Sequence, residues 1–390
     1  MVHVIPGLAR STGGPAVMVV ELSGALGRLG VESAIFSTDL SGPAGARNRR
    51  RARESDLPAR ARDVDVRLFP ARQPYRLAFS PALYSALAHE TLLYDVVHIH
   101  SLYLFPQFAA FRQAKRHDVP YVLSQHGTLD PHLRGRGRFR KRVVDLLWQN
   151  RMLEGAAALH VGTEEEARVI ADIAPRVRRL TAPFGIRWDD YEELTDDGKF
   201  RRLYLDGFEG PIVMNVGRLA RKKGLDVLIR AFAIGASKAS GARLVLVGPD
   251  DEGLRPSLVE LAQREGIAER VTFTGILQGE DLRAALAAAH VWVLPSKAEA
   301  FPMAVMEALA AGKPVVISPW VNTASDISAA GAGIVCEPEP EALASEIALL
   351  LSDEKRRAEL QRKARAFARR FDWQFVAPRW IEMYEDVAAS

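Results

Sequence analysis

Cysteine is almost missing from this chain of 390 residues: Cys336 stands alone. That excludes an internal disulfide and a cysteine-rich metal site, and it fits a reducing cytoplasm. Long apolar runs are missing too. None approaches the roughly 18 residues a membrane span needs, and the opening "MVHVIPGL" lacks the charged and apolar regions of a signal peptide, so a cytoplasmic protein is expected. There is no short-period repeat and no long low-complexity tract; the nearest is the Arg-rich "RNRRRARESDLPARAR" (47–62), which reads as an exposed loop. A pI near 9.2 raises nucleic-acid binding as an alternative. No helix-turn-helix, zinc or aromatic RNA-binding signature accompanies the charge, so no nucleic-acid partner is expected.

What the chain does have is enough apolar material for two domains. Hydrophobic residues make up 48% and charged residues 26%, the profile of a soluble globular protein of this length. The charge is uneven. Residues 1–188 hold 27 Lys and Arg against 17 Asp and Glu, and residues 189–390 hold 25 against 31.

Short β-branched runs alternate with helical stretches throughout. In the first half they are "VHVI" (2–5), "SAIFS" (33–37), "VRLF" (66–69), "DVVHIH" (95–100), "YVLSQHG" (121–127) and "ALHVG" (158–162). In the second they are "IVMNVG" (212–217), "RLVLVG" (243–248), "RVTFTG" (270–275), "VWVLPS" (291–296) and "PVVISP" (314–319). Two tandem series of βα units predict two α/β, Rossmann-like domains, each with an open parallel sheet covered by helices. The expected boundaries are 1–188, a polar linker at 189–210, 211–370, and a closing helical segment at 371–390.

In such sheets ligands bind beyond the carboxyl ends of the strands. Two stretches lie there. "VWVLPS" runs into "KAEAFPMAVMEALAAGKPVV", where Pro302 suits the first helical position and the amides of Met303 and Ala304 are expected to be free, a setting that favours an anion. Glu307 falls among apolar residues on that helix. An unpaired buried carboxylate costs several kcal/mol, so Glu307 is exposed, ion-paired or turned to a polar ligand. Taken alone, Glu299 reads as an ordinary surface glutamate. "NVGRLARKKG" places Arg218 after one strand and Lys223 five residues on, a planar fork and a point charge suited to a diphosphate; taken alone, a solvated basic loop is the commoner meaning. His126 in "SQHGT" is a functional candidate at a strand end. Of His98 and His100, His98 reads as core, while His100 reads as core or as part of an acceptor site.

Together these residues carry a resemblance. Glu299-x7-Glu307 within "EAFPMAVMEALAAGKPVV", preceded by "GRLARKKG", resembles the signature of the family-4 retaining glycosyltransferases of GT-B fold, closely over about residues 211–320 and more loosely before, through "GG" after the first strand and "HGT" after the fifth. The closing "FDWQFVAPRWIEMYEDV" resembles the family's last helices, which cross back to the N-terminal domain. The resemblance implies two Rossmann-like domains facing an interdomain cleft, with the acceptor on the N-terminal domain and a nucleotide sugar on the C-terminal one. It implies that Arg218 and Lys223 bind the diphosphate, that Glu307 holds the ribose and Glu299 the donor sugar, and that Phe301, Pro302, Met303 and Ala304 contact sugar and phosphate. Gly13, Gly14 and Gly217 fall where backbone approaches phosphate, Gly275 and Ile276 where backbone reads the nucleobase, and His126 at the donor sugar.

The chain departs from the family's pattern in "PFG" (183–185), where "PNG" is usual, and in Asp326, where glutamate is common. The implied reaction is retaining transfer to a hydroxyl acceptor, a saccharide or lipid-linked saccharide, in exopolysaccharide, lipopolysaccharide or glycolipid synthesis. "DVD" (63–65) is the only Asp-x-Asp and lies away from these motifs, so neither a metal nor a cofactor beyond the donor is expected. The alternative on the same fold is a nucleotide-sugar epimerase or a phosphorylase. For a lipid-linked acceptor, Arg134, Arg136, Arg138, Arg140, Lys141 and Arg142, ahead of Val143, Val144, Leu146, Leu147 and Trp148, are expected to give peripheral, salt-reversible contact with anionic headgroups on the inner face of the plasma membrane.

Overall fold

The computed structural model describes all residues except 43–49, 59, 130–143, 195–196, 237–240 and 390, and excludes the side chain of 236. The six basic residues expected at a membrane, and Val143 after them, lie outside the described residues. The chain forms two units, Met1–Gly185 with Trp373–Ser390, and Ile186–Asp372.

The first unit is built on β1 (Val2–Ile5), β2 (Ala34–Thr38), β5 (Asp65–Phe69), β6 (Val97–His100), β7 (Tyr121–Ser124), β8 (Ala158–Val161) and β9 (Arg179–Thr181), with a small hairpin of β3 (Leu40–Ser41) and β4 (Arg50–Arg51) to one side. The seven strands run parallel in the order β5-β2-β1-β6-β7-β8-β9. That order reverses between β1 and β6, the switch point of a doubly wound sheet. Central strands are buried on both faces, as parallel strands under helices must be, and mostly apolar apart from His3, His98, His100 and His160.

Local signals set the helix starts. Ser80 Oγ accepts from the Leu83 amide ahead of Pro81–Glu90, and Thr163 Oγ1 from the Glu166 amide ahead of Glu164–Ile173, whose first turn carries three glutamates against the helix dipole. The closing helix Trp373–Ala388 belongs to this unit. Its Trp380 indole N–H donates to the Pro183 carbonyl at 2.8 Å. A Cβ on Gly185 would lie 2.3 Å from the Trp373 ring, so only glycine allows the two to meet. Phe184, the departure from the family's usual asparagine, is buried among His126, His160 and Trp380.

The second unit repeats the plan with β10 (Ile212–Val216), β11 (Arg243–Val247), β12 (Val271–Gly275), β13 (Val291–Leu294), β14 (Val315–Ile317) and β15 (Ile334–Val335) in the order β12-β11-β10-β13-β14-β15. The switch point falls between β10 and β13. The stretch expected as a polar linker, 189–210, is part of this unit. Its sparse apolar residues explain the difference: Trp188 just ahead of it, and Tyr191, Phe200 and Leu205 within it, are buried in the core, and Arg201 is held by Asp197 at 2.6 Å and the Phe208 carbonyl at 2.8 Å. Among the described residues no helix is long and apolar enough to cross a membrane.

Candidate functional site

The second unit gathers its charged residues at the switch point. Beyond β10 the chain makes a short turn, Arg221–Lys223, and enters the helix Leu225–Ala231 through Gly224. Gly224 has φ +66°, and a Cβ there would lie 2.2 Å from the Pro295 carbonyl oxygen. The position therefore demands glycine twice over. The close approach joins this turn to the end of β13: the Lys222 carbonyl accepts the Lys297 amide at 2.7 Å and lies 2.9 Å from Ser296 Oγ.

At that junction Lys223 Nζ is 2.7 Å from Glu299 Oε1, Lys222 Nζ 3.7 Å from the same oxygen, and Ser296 Oγ 2.9 Å from it. Glu299 is not a surface residue; it is 8% exposed. Its amide donates to the Trp320 carbonyl at 3.1 Å and its carbonyl accepts from Asn322 at 3.0 Å, so its backbone is fixed on both sides. Burial would push its carboxyl up, but Lys223 and Lys222 outweigh that and hold it below its ordinary value. Two ammoniums thus stand around one buried carboxylate. Gly217 lies over Lys223; a Cβ there would be 3.5 Å from Lys223 Nζ. Arg218 stays nearer the surface, 3.8 Å from Asp251.

The helix Met303–Ala310 begins one residue later than expected. Pro302 is its N-cap, and the Met303 amide, expected to be free, donates to the Phe301 carbonyl at 3.1 Å. Phe301, Met303 and Ala304 remain partly exposed at this end, while Pro302 is buried. Glu307, half-buried, accepts a hydrogen bond from the Tyr191 hydroxyl. Burial raises its carboxyl to about 7; Tyr191 opposes the rise and Asp190 adds to it. Gly275 closes β12, its carbonyl accepting the Gly248 amide at 2.8 Å, and Ile276 follows exposed.

The first unit holds the remaining candidates. Gly13 is the N-cap of the helix Gly14–Arg28, with open space where a Cβ on Gly14 would lie. His126 follows β7 with φ +48°. The turn that carries it is fixed by Gln125, whose Oε1 accepts the Leu129 amide at 2.9 Å and whose amide nitrogen donates to buried Glu166. His126 stacks between His100 and Phe184, and burial, with His160 nearby, lowers its imidazole to about 3. His98 and His100 are both fully buried.

Lys223, Glu299 and Gly217 thus stand together, and the residues from 301 to 307 follow on the next helix. Arg218 is paired separately, and Gly13, Gly14 and His126 are in the other unit. Sequence reasoning missed Lys222, Ser296, Asp251 and Tyr191. Tyr191 carries no motif; its signal is the burial of a tyrosine that must find a partner for its hydroxyl.

Two family models cover most of the chain: "Glycosyl transferase 4-like domain" matches residues 13–185 and "Glycosyl transferases group 1" matches residues 206–367. A D-inositol 3-phosphate glycosyltransferase of Stackebrandtia nassauensis is 30% identical over 309 residues, 75% of this chain and 68% of the relative. Another of that name, from Thermobispora bispora, is 29% identical over 400 residues, 96% of this chain and 90% of the relative. Among solved structures, Anabaena HepE in complex with UDP and glucose is similar with a TM-score of 0.78 at 18% identity, over 98% of each chain. WaaG, a glycosyltransferase involved in lipopolysaccharide biosynthesis, is similar with a TM-score of 0.72 at 18% identity, over 98% of this chain and 99% of that one. At such identities the likeness is one of fold, the GT-B arrangement of two Rossmann-like domains.

Proposed function

Because the chain belongs to the group 1 glycosyl transferases, we propose that it moves a sugar from a nucleoside diphosphate sugar to a hydroxyl acceptor with retention of configuration. We assign the donor to the second unit and the acceptor to the first. The observation that carries this is the cluster of Lys222, Lys223 and Glu299, a buried carboxylate between two partly buried lysines, fixed by the junction of two loops at the switch point of the sheet.

In this reading Lys223 and Arg218 take the diphosphate and stabilise the charge that develops as it leaves. Glu299, kept ionised by its lysines, accepts hydrogen bonds from the sugar hydroxyls. Glu307 accepts from the ribose, its alternative partner being Tyr191. Backbone at Phe301, Pro302, Met303 and Ala304 meets sugar and phosphate, Gly13, Gly14 and Gly217 lie against phosphate, and Gly275 and Ile276 lie against the base. His126 contacts the donor sugar. The acceptor oxygen bonds to the anomeric carbon on the face from which the phosphate oxygen departs, and the acceptor's proton passes to the leaving diphosphate. No protein carboxylate forms a covalent intermediate, and neither a metal nor a further cofactor is required. Positioning supplies most of the acceleration.

The acceptor we propose is a saccharide, free or lipid-linked. The name shared by the two relatives adds inositol phosphate as a second acceptor to try, and the HepE complex makes UDP-glucose the first donor. The test is a panel of nucleotide sugars with and without these acceptors, read by nucleoside diphosphate release. Release that requires the acceptor is expected. Conversion of the donor sugar without any acceptor would favour an epimerase instead. For a lipid-linked acceptor we propose peripheral contact with anionic lipid near residues 134–148, where Leu146 and Leu147 are exposed; flotation with anionic vesicles at low and high salt tests it, and no binding at low salt removes it.

A further inference from the structure

Five imidazoles lie on or just after the first unit's central strands: His3 on β1, His98 and His100 on β6, His126 after β7 and His160 on β8. All but His126 are essentially without solvent exposure. Burial lowers every one of them, so all are neutral near pH 7. A neutral imidazole has one N–H and one lone pair, so each contact between two of them must match a donor with an acceptor. The network therefore becomes a count of protons.

One row has no freedom. His160 Nε2 is 2.7 Å from the Ala182 carbonyl, which can only accept, so Nε2 carries the proton and Nδ1 is bare. Ser124 Oγ, 2.8 Å from that Nδ1, must donate to it. Its oxygen then accepts from His98 Nε2 at 2.7 Å, and the bare His98 Nδ1 takes the Tyr384 hydroxyl proton at 2.7 Å. One carbonyl fixes every proton as far as the closing helix.

The second row has two possible polarities. His3 Nδ1 lies 3.0 Å from His100 Nε2, and His100 Nδ1 lies 3.0 Å from His126 Nε2. Its inner end is His3 Nε2, buried with no hydrogen-bond partner among the described residues. If protons point inward, that nitrogen is a buried N–H without an acceptor; if they point outward, it is a bare lone pair. Orphaned buried N–H groups are the rarer of the two.

We infer that this row is polarised outward, His3 donating to His100 and His100 to His126, so that His126 carries its single proton on Nδ1 and meets its ligand as a hydrogen-bond donor rather than as a base. His3 and His100 are then positioning residues for His126. The tautomer follows from the row alone; its consequence for transfer rests on the proposed contact of His126 with the donor sugar. Ligand atoms of His3, His98 and His100 also fall within 4.8 Å of one another, as a metal site would require. Both nitrogens of His98 and of His100 are already paired, however, and the hydrogen-bonded reading leaves one buried atom unmatched, His3 Nε2.

The test is long-range 1H–15N correlation on the whole chain labelled at histidine nitrogens, at neutral pH, with single His→Asn variants for assignment. His98 and His160 are expected protonated at Nε2 and serve as internal standards. His126 is expected protonated at Nδ1; a proton on Nε2, or rapid averaging of the two tautomers, overturns the inference. His3→Leu removes the inner donor and should reduce kcat about tenfold, the worth of one hydrogen bond, with donor KM little changed, while His3→Gln, whose amide can donate in its place, should recover most of it. Loss of kcat in both variants alike would reduce His3 to a packing residue. If His126→Asn transfers sugar as the wild type does, the sugar contact fails while the tautomer stands.

Discussion

Both units bury polar groups on or beyond the central strands of their sheets, and they do it with opposite chemistry. The first uses neutral imidazoles matched proton to lone pair. The second uses charge: two lysines on one buried glutamate, and an arginine beside an aspartate. A neutral network costs little desolvation but depends on every proton being in its place. A charged cluster costs more to bury and is offset only by close pairing. The first arrangement suits a unit that positions a group, the second a unit that holds a diphosphate.

Acid should separate them, and by the largest margin. His3, His98, His100 and His160 are lowered in the folded state from an ordinary 6.5, His3 to about 3 and His160 to about 4. Unfolding therefore takes up protons below pH 6.5, and each histidine loses about 1 kcal/mol over the first pH unit below it, about 4 kcal/mol for the four. In the second unit one lowered histidine, His290, is opposed by Glu307. Glu307, raised from 4.5 to about 7, binds its proton more tightly when folded and stabilises the unit as pH falls through 7, while Glu299, lowered, withdraws stability only below 4.5. Denaturant unfolding between about pH 7.5 and 5, with hydrogen exchange to assign each transition, should show the first unit failing alone. A parallel loss in both would remove the contrast.

The next effect is within the charged cluster. Lys223→Ala leaves Glu299 buried with Lys222 at 3.7 Å as its nearest cation, and breaking a buried pair from one side costs about 3–5 kcal/mol. We expect that loss in the second unit, together with a fall of about 100-fold or more in nucleoside diphosphate affinity by calorimetry. Lys222→Ala should lose less of both. Equal losses would mean that bulk charge, not the close pair, holds the anion.

Much of this was legible beforehand. The short β-branched runs marked all the central strands because parallel strands buried on both faces have little choice of composition. What escaped was short or polar: β9, β15 and the β3–β4 hairpin, two or three residues each, carry no periodicity to read. Residues 189–210 looked like a linker because Tyr191, Phe200 and Leu205 are diluted by charge, and it is their spacing in three dimensions that makes a face. The positions of Lys223 and Glu299 followed from strand ends, but Lys222 did not, since side-chain direction in a tight turn is not written in spacing. The histidine rows were unreadable for a related reason. His3 pairs across strands with His98, and His160 with Ser124; only the register brings them together.

Glu307 gives a third, smaller effect. Ribose hydroxyls donate to a carboxylate, so a protonated Glu307 must lose its proton before it can bind them. Nucleotide affinity should be flat above about pH 7 and fall below it by up to about tenfold per pH unit. Asp190 pushes the same way as burial, and Arg283, beside Tyr191, pushes back on the tyrosine. Tyr191→Phe removes the hydrogen bond that holds Glu307 down, so the midpoint should move up. Glu307→Gln should abolish the dependence. If the wild type shows no fall that Glu307→Gln removes, Glu307 is not at the ribose; if it does but Tyr191→Phe superimposes on it, the tyrosine is only packing.

The smallest effect lies at the edge of the charged cluster and sharpens the contrast inside it. Arg218 and Asp251 are 3.8 Å apart, with the arginine side chain 43% exposed, so this pair is weak and screened by salt. It is also a competitor, since a diphosphate taken up by Arg218 must draw it from Asp251. Burial raises the Asp251 carboxyl, Arg218 lowers it, and Asp250 and Glu252 raise it again, so Asp251 is a carboxylate without strong support. Asp251→Asn should therefore tighten diphosphate binding by about two- to fivefold, the worth of a surface pair, with the gain shrinking as salt is added. The matching change at the buried pair, Glu299→Gln, should leave free diphosphate affinity nearly unaltered and reduce transfer instead, because Glu299 is assigned to the sugar. Weaker binding in Asp251→Asn would mean that Asp251 orients Arg218 toward the anion, and the surface pair would then be part of the site rather than its rival.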